Sequence, residues 1–201
     1  MNNYFPREER SMTLSNYNVY EGEVSCKPDG QGKLTYPNGD VYEGEWQDGN
    51  SDRGRMTYIN GDVYEGDWNN GERERGRMIY ANGNVLNNGH WIDDVLREGE
   101  MTYPNGNIYN GRWHKRTGSY LVGTLTYANG NVYEGDFDNN NKPNGNGELT
   151  YKNGNVKSGF WEHGVRIRNP QDIEFDKERG EGRGKTHKRK THKRKTHKRN
   201  Y

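Results

Sequence analysis

The chain is poor in aliphatic residues. Leu, Ile, Val and Phe together make up 27 of its 201 residues, below the floor of about 20% that globular proteins keep. A conventional aliphatic core is therefore excluded. No apolar run reaches even about ten residues, so no transmembrane helix is expected. Met1 to Arg10 is polar and lacks the apolar stretch of a secretory signal. The one cysteine, Cys26, has no partner for an internal disulfide and no neighbours at metal-site spacing. An intracellular protein is expected, neither secreted nor transmembrane. Nucleophile–base signatures, Walker loops and dinucleotide fingerprints are also missing. Neither an enzyme nor a cofactor or small-molecule substrate is expected.

What is present instead is glycine (28), asparagine (27), tyrosine (15) and tryptophan (5). Taken alone the composition reads as disorder, but the aromatic rings supply large burial by another route. Their arrangement is periodic. Gly32 to Trp46 reads GKLTYPNGDVYEGEW, and Gly54 to Trp68 reads GRMTYINGDVYEGDW. Worn copies follow at 76–91, 99–113, 123–137 and 147–161. The Asn-Gly glycines fall at 39, 61, 83, 106, 130 and 154. A further copy lies upstream at 12–22, where Arg10 replaces the leading Gly, Leu14 the Tyr and Tyr17 the turn Gly. Repeats at this period indicate stacked supersecondary units.

Each unit reads as a β-hairpin, because two alternating runs flank Asn-Gly. Pro37 and Pro104 just before it fit a type I turn closed by glycine, a three-residue loop with a bulge. That loop pairs Tyr36 with Asp40, Leu34 with Tyr42 and Gly32 with Gly44. By the period of two, Leu34, Tyr36, Tyr42 and Trp46 share one face, and Lys33, Thr35, Val41, Glu43 and Glu45 the other. Facing mid-strand glycines leave a slot that either receives aromatic rings or only permits curvature. The links at 47–53, 69–75, 114–122 and 138–146 are expected as solvent loops. One inserted residue in Val85 to Gly89 predicts a bulge.

The succession Tyr-Glu-Gly-(Glu/Asp)-Trp and Gly-x-(Leu/Met)-Thr-Tyr-x-Asn-Gly resembles the MORN repeat, over residues 12 to about 165. The resemblance implies an all-β fold: an elongated, single-layer antiparallel meander of hairpins forming a groove, often finished by a short terminal helix. It also implies a scaffold, a dimerisation module or a membrane-associated adaptor. Two places depart from the family pattern. Leu86-Asn-Asn and Lys157-Ser158 stand where Tyr-Glu is usual, so any ligand needing an unbroken aromatic ladder meets gaps there.

The formal net charge of +1 conceals two opposed blocks. Residues 1–165 hold 16 Lys/Arg against 24 Asp/Glu, a net of −8, and residues 166–201 hold 14 against 5, a net of +9. Asn169 to Gly180 carries helix punctuation: an N-cap Asn, Pro170 behind it, early acids, late cations and a closing glycine. Ile173 and Phe175 would cover the end of the sheet. Beyond it runs a low-complexity pentapeptide series (THKRK), which predicts a disordered polybasic tail. The division expected is a segment 1–11, a repeat domain 12–165, a capping helix and hinge 166–182, and a tail 183–201.

Two functions fit. The first is a non-enzymatic scaffold that binds a protein partner or itself, with Tyr42, Trp46, Tyr64, Trp68, Tyr109, Trp113 and Tyr133 as the candidate interaction face. The second is polyanion contact or nuclear targeting through Arg183, Lys185, Lys188, Arg189, Lys190, Lys193, Arg194, Lys195, Lys198 and Arg199. Its ligand would be an anionic membrane or nucleic acid, bound without sequence readout because stacking aromatics are missing. His187, His192 and His197 sit among cations and make a poor metal site. The corresponding locations are the cytoplasm, the nucleus or the membrane periphery.

Overall fold

The computed structural model describes residues 7–14 and 16–167. The chain divides into two units, Met1–Ile167 and Arg168–Tyr201; the expected helix at 169–180 and the basic tail fall in the second, outside the described residues. The described residues are all-β. The strands are β1 (Glu8–Thr13), β2 (Val19–Val24), β3 (Pro28–Thr35), β4 (Val41–Gln47), β5 (Asn50–Thr57), β6 (Val63–Asn69), β7 (Glu72–Ile79) and β8 (Val85–Ile92). There follow β9 (Val95–Thr102), β10 (Ile108–Trp113), β11 (Tyr120–Thr126), β12 (Val132–Phe137), β13 (Pro143–Thr150), β14 (Val156–Glu162) and β15 (Val165–Arg166). They pair in chain order within one open antiparallel sheet. β1 begins at Glu8, ahead of residue 12.

The hairpin chemistry explains this order. At Tyr36 to Asp40 the Tyr36 N–H donates to the Asp40 carbonyl and the Gly39 N–H to the Tyr36 carbonyl, both at 2.9 Å. Gly39 sits at φ 94°, which closes the three-residue loop. Leu34 then faces Tyr42, and Gly32 faces Gly44. The pattern recurs at Tyr58, Tyr80, Tyr103, Tyr127 and Tyr151. The worn first copy obeys it too. Arg10 faces Gly22 and Met12 faces Tyr20, and Tyr17 adopts φ 65° in the place of the turn glycine.

The other edge departs in part from the expected solvent loops. Residues 114–119 and 138–142 are loops as expected, but the links 47–53 and 69–75 are mostly strand, and four connections on this edge have only two residues: Asp48-Gly49, Asn70-Gly71, Asp93-Asp94 and His163-Gly164. Both residues of each pair have positive φ, the type I′ geometry that matches strand twist. Asp-Gly and Asn-Gly signal this turn, and loops rich in polar residues hid it. The predicted irregularity at the inserted residue is present: the register shifts between Asn87 and His90, with Asn88 at φ 50°.

Every strand from β2 to β14 places one glycine in a single row across the sheet, from Gly22 and Gly32 to Gly147 and Gly159. The slot is filled by rings. A Cβ on Gly32 would lie 2.2 Å from the Tyr20 hydroxyl, and one on Gly147 2.1 Å from that of Tyr133. Backbones also close in, since a Cβ on Gly44 would lie 2.5 Å from the Gly54 Cα. The glycines thus serve both the rings and the close approach of strands.

Candidate functional site: the aromatic face

Five tyrosines form the floor of one sheet face. Tyr20, Tyr42, Tyr64, Tyr109 and Tyr133 are fully buried, each with its hydroxyl over the glycine two residues ahead on its own strand. Their hydroxyls donate to the carbonyl three residues on: Glu23 at 2.8 Å, Glu45 at 3.0 Å, Asp67 at 2.8 Å, Arg112 at 2.7 Å and Asp136 at 3.0 Å. In each strand that carbonyl belongs to the residue at the register shift. The ring therefore fills the slot and its hydroxyl satisfies the bulge, which a bulged ladder leaves short of a partner.

Tryptophan covers the tyrosine. Trp46 meets Tyr20 at 5.3 Å and Tyr42 at 5.2 Å, both edge-on; Trp68 bridges Tyr42 and Tyr64 in the same way, and Trp91 continues from Tyr64. Beyond the break the ladder resumes as Tyr109–Trp113, Tyr109–Phe137, Tyr133–Phe137 and Tyr133–Trp161. Such pairs are each worth about 0.5–1.5 kcal/mol beyond area burial. At the break stands Leu86, fully buried over Gly89 and Gly99, as the departure in sequence foretells. All seven residues of the candidate interaction face, Tyr42, Trp46, Tyr64, Trp68, Tyr109, Trp113 and Tyr133, lie in this ladder at 8% exposure or less.

A second tyrosine row reaches solvent on the same face. Tyr36, Tyr58, Tyr80, Tyr103, Tyr127 and Tyr151 are half-buried, one for every two strands, and all but Tyr151 pack on the ladder. Sequence reasoning placed Tyr36 on this face but named no binding row; the recurrent Thr-Tyr-x-Asn-Gly carried the signal. Burial pushes the phenols of Tyr36, Tyr58, Tyr80, Tyr103 and Tyr127 above the ordinary tyrosine value. Tyr120, the first residue of β11, stacks on Tyr109 at 3.7 Å and donates to the Tyr103 hydroxyl at 2.6 Å. Near it an open hollow of about 590 Å³ is lined by Tyr120, Leu125, Tyr127, Pro143, Leu149, Trp161 and several asparagines.

The turns beside the row are tied together. Asp40 accepts from the Ile59 N–H and Asp62 from the Ala81 N–H, both at 2.8 Å; Asn107 and Asn131 accept from Ala128 and Lys152 at 3.0 and 3.1 Å. At the corresponding step after Asn84 stands Pro104, which has no N–H to offer. Charge is uneven along the face. Asp40 acts on Tyr36 and Tyr58, Asp94 on Tyr58 and Asp62 on Tyr80, opposed at Tyr58 and Tyr80 by Arg73, which is held by Asp94 at 2.6 Å and lies 5.6 Å over Trp91. Burial apart, the groups acting on Tyr103 and Tyr127 include no carboxylate.

The opposite face is polar. Glu21, Lys33, Glu43, Arg55, Glu65 and Arg77 alternate in sign across adjacent strands, with Lys33–Glu43 at 3.7 Å and Arg55–Glu65 at 3.6 Å. Glu43 and Glu45 are exposed there, a solvated face and not a carboxylate dyad. His163 sits 2.7 Å from Asp138. Burial raises the Asp138 pKa, but hydrogen bonds from His163, Lys142 and Asn140 outweigh it and hold the carboxyl low. Among the described residues no cluster of three His, Cys, Asp or Glu is placed to hold a metal, and no helix is long and apolar enough to cross a membrane. The ten cations of the tail lie outside the described residues.

A sheet of in-register hairpins, each touching its sequence neighbours, defines a β-repeat protein. The MORN repeat profile matches residues 20–41, 42–63, 64–85, 88–108, 122–132 and 133–156. The chain belongs to the MORN-repeat family. No curated protein matches it. Among solved structures it is similar to the TCP10 domain of Danio rerio CPAP, at 15% identity, TM-score 0.43, covering 81% of this chain and 93% of that one. It is also similar to the SAS-4 (dCPAP) TCP domain of Drosophila melanogaster, solved in complex with a proline-rich motif of Ana2 (dSTIL), at 17% identity, TM-score 0.38, covering 76% and 90%.

Proposed function

We propose that this MORN-repeat chain is a non-enzymatic scaffold that binds a protein partner through its aromatic face. The observation that supports this reading most is the row Tyr36, Tyr58, Tyr80, Tyr103 and Tyr127, half-buried and evenly spaced on a single-layer sheet. The ladder of Tyr42, Trp46, Tyr64, Trp68, Tyr109, Trp113 and Tyr133 is the rigid floor that holds those rings in place. Rigid aromatics give contact area at low entropic cost, which favours them at binding surfaces. The chain contributes position and selectivity to an assembly, and no chemistry.

The second reading concerns Arg183, Lys185, Lys188, Arg189, Lys190, Lys193, Arg194, Lys195, Lys198 and Arg199. Each cation near an anionic membrane is worth roughly 1 kcal/mol, so this series supports salt-sensitive polyanion contact or targeting. A repeat region at −8 is repelled by anionic headgroups within about 8 Å; membrane or nucleic-acid contact therefore belongs to the tail. Selection of peptide ligands from a random library on the full chain tests the first reading. Ligands lost in Tyr58→Ala and Tyr80→Ala chains support it. Ligands that survive both and vanish only on deletion of 183–201 contradict it. Light scattering of the same chain finds whether a second copy can take the partner's place.

A further inference from the structure

The spacing and charge of the tyrosine row narrow the partner's chemistry. Consecutive tyrosines of the row stand two strands apart, about 9.4–9.8 Å at ordinary strand separation. A polyproline II helix repeats every three residues, about 9.3 Å. A proline at every third position therefore meets one tyrosine after another without either chain changing pitch. Neither a helix, which advances about 5.4 Å per turn, nor a strand, which returns a side chain to the same face every 6.4–6.8 Å or so, keeps that step. The row runs across the strands, so the contact is made by rings and not by adding a strand to an edge.

Charge supplies the second argument. Asp40 acts on Tyr36 and Tyr58, and Asp62 on Tyr80, while Asp94 is taken up by Arg73. At the positions of Asp40 and Asp62, the later repeats carry the neutral Asn107 and Asn131. The acidic part of the face thus complements a cationic ligand.

We infer that the aromatic face binds a polyproline II segment of a partner protein, with prolines seated on the tyrosine row and Arg or Lys side chains against Asp40 and Asp62. This rests on the proposed function and specifies its ligand. The preformed helix loses little entropy on docking, which suits a shallow, aromatic-lined surface. Asp40 and Asp62 also brace neighbouring turns, but an amide does this equally well at Asn107 and Asn131. Asp→Asn therefore removes charge and keeps the brace.

The test titrates the full chain with a peptide of Pro-Pro-Arg repeats about twelve residues long, roughly four turns of such a helix. Controls of equal length carry Gly-Gly-Arg or Pro-Pro-Gln repeats. The Pro-Pro-Arg peptide is expected to bind at least tenfold tighter than Gly-Gly-Arg. The D40N/D62N double variant is expected to weaken Pro-Pro-Arg about fivefold and leave Pro-Pro-Gln unchanged. Tyr58→Ala weakens both proline peptides, and Tyr58→Phe, which keeps the ring, restores Pro-Pro-Gln binding. Melting curves exclude variants that merely unfold. Equal binding of the glycine and proline peptides overturns the inference. Library ligands that depend on Tyr58 yet contain no proline also overturn it, while leaving the proposed function standing; a library with no Tyr58-dependent ligand sinks both.

Discussion

The Tyr42 hydroxyl donates to the carbonyl of Glu45 at 3.0 Å, three residues ahead on its own strand and at the residue where the register slips. One side chain thereby does two jobs: its ring fills the glycine slot and its hydroxyl satisfies the bulge. Tyr42→Phe separates them. It keeps the ring and removes the hydroxyl that pairs the Glu45 carbonyl in a half-buried hydrogen bond, at a cost of about 1–2 kcal/mol. Denaturant unfolding measures it, and Tyr64→Phe should cost the same, because the unit repeats.

Glycine substitutions divide sharply by position. A methyl on Gly44 meets the Arg53 carbonyl oxygen at 2.4 Å and the Gly54 Cα at 2.5 Å, both backbone. Gly44→Ala is expected to cost about 3 kcal/mol. Gly154 has nothing within 4 Å and sits at φ 84°. Gly154→Ala carries only the left-handed backbone penalty, about 1 kcal/mol. Thermal melts of the pair separate slot glycines from turn glycines.

These two cases mark how far the sequence was legible. Period-two alternation and Asn-Gly gave the hairpins, their register and the shared face of Leu34, Tyr42 and Trp46. They gave Arg10 and Tyr17 as substitutes in the first copy as well. The two-residue turns at Asp48-Gly49 and Asn70-Gly71 were hidden in links of variable length and high polarity. Whether rings or curvature explain the slot depends on which residue approaches Gly32 in space, and spacing does not specify that. On the site, the sequence supplied the aromatic inventory but not the division of labour. Tyr42 and Tyr36 lie on one face of a hairpin, yet Tyr42 sinks into the glycine row while Tyr36, beside the turn, stays half in solvent.

The sheet should fail on the alkaline side. Burial raises the phenols of Tyr42, Tyr64 and Tyr109 above the ordinary value, and it pushes Tyr133 up to about 12. Folded tyrosine therefore keeps a proton that the unfolded chain gives up. Stability is intact below pH 10 and falls as pH rises from about 10 through 12, by about 1.4 kcal/mol per pH unit for each tyrosine so held. Unfolding followed against pH, with the ring resonances of Tyr42, Tyr64, Tyr109 and Tyr133 resolved alongside, should find their ionisation and unfolding in one cooperative step. Ionisation of these four rings at pH 10 with the sheet intact would refute the burial assignment.

The weakest interior seam is expected at β8–β10. Leu86 supplies neither the ring nor the hydroxyl of the other repeats, Asn88 adds an irregular residue, and Pro104 offers no N–H to Asn84. In a repeat protein each interface contributes nearly independently, so these losses stay local. Native-state hydrogen exchange should give the lowest interior opening free energies there, below those of β4–β6 and β11–β13. Uniform protection from β4 to β13 would contradict this.

The central claim is that the tyrosine row is the recognition surface. The most direct measurement is a residue-resolved NMR footprint on the full chain, with the Pro-Pro-Arg peptide or any ligand recovered by selection. The account expects shifts centred on Tyr36, Tyr58, Tyr80, Tyr103 and Tyr127, with the opposite face at Glu43 and Glu65 silent. A footprint on that polar face, or confined to residues 183–199, would contradict it.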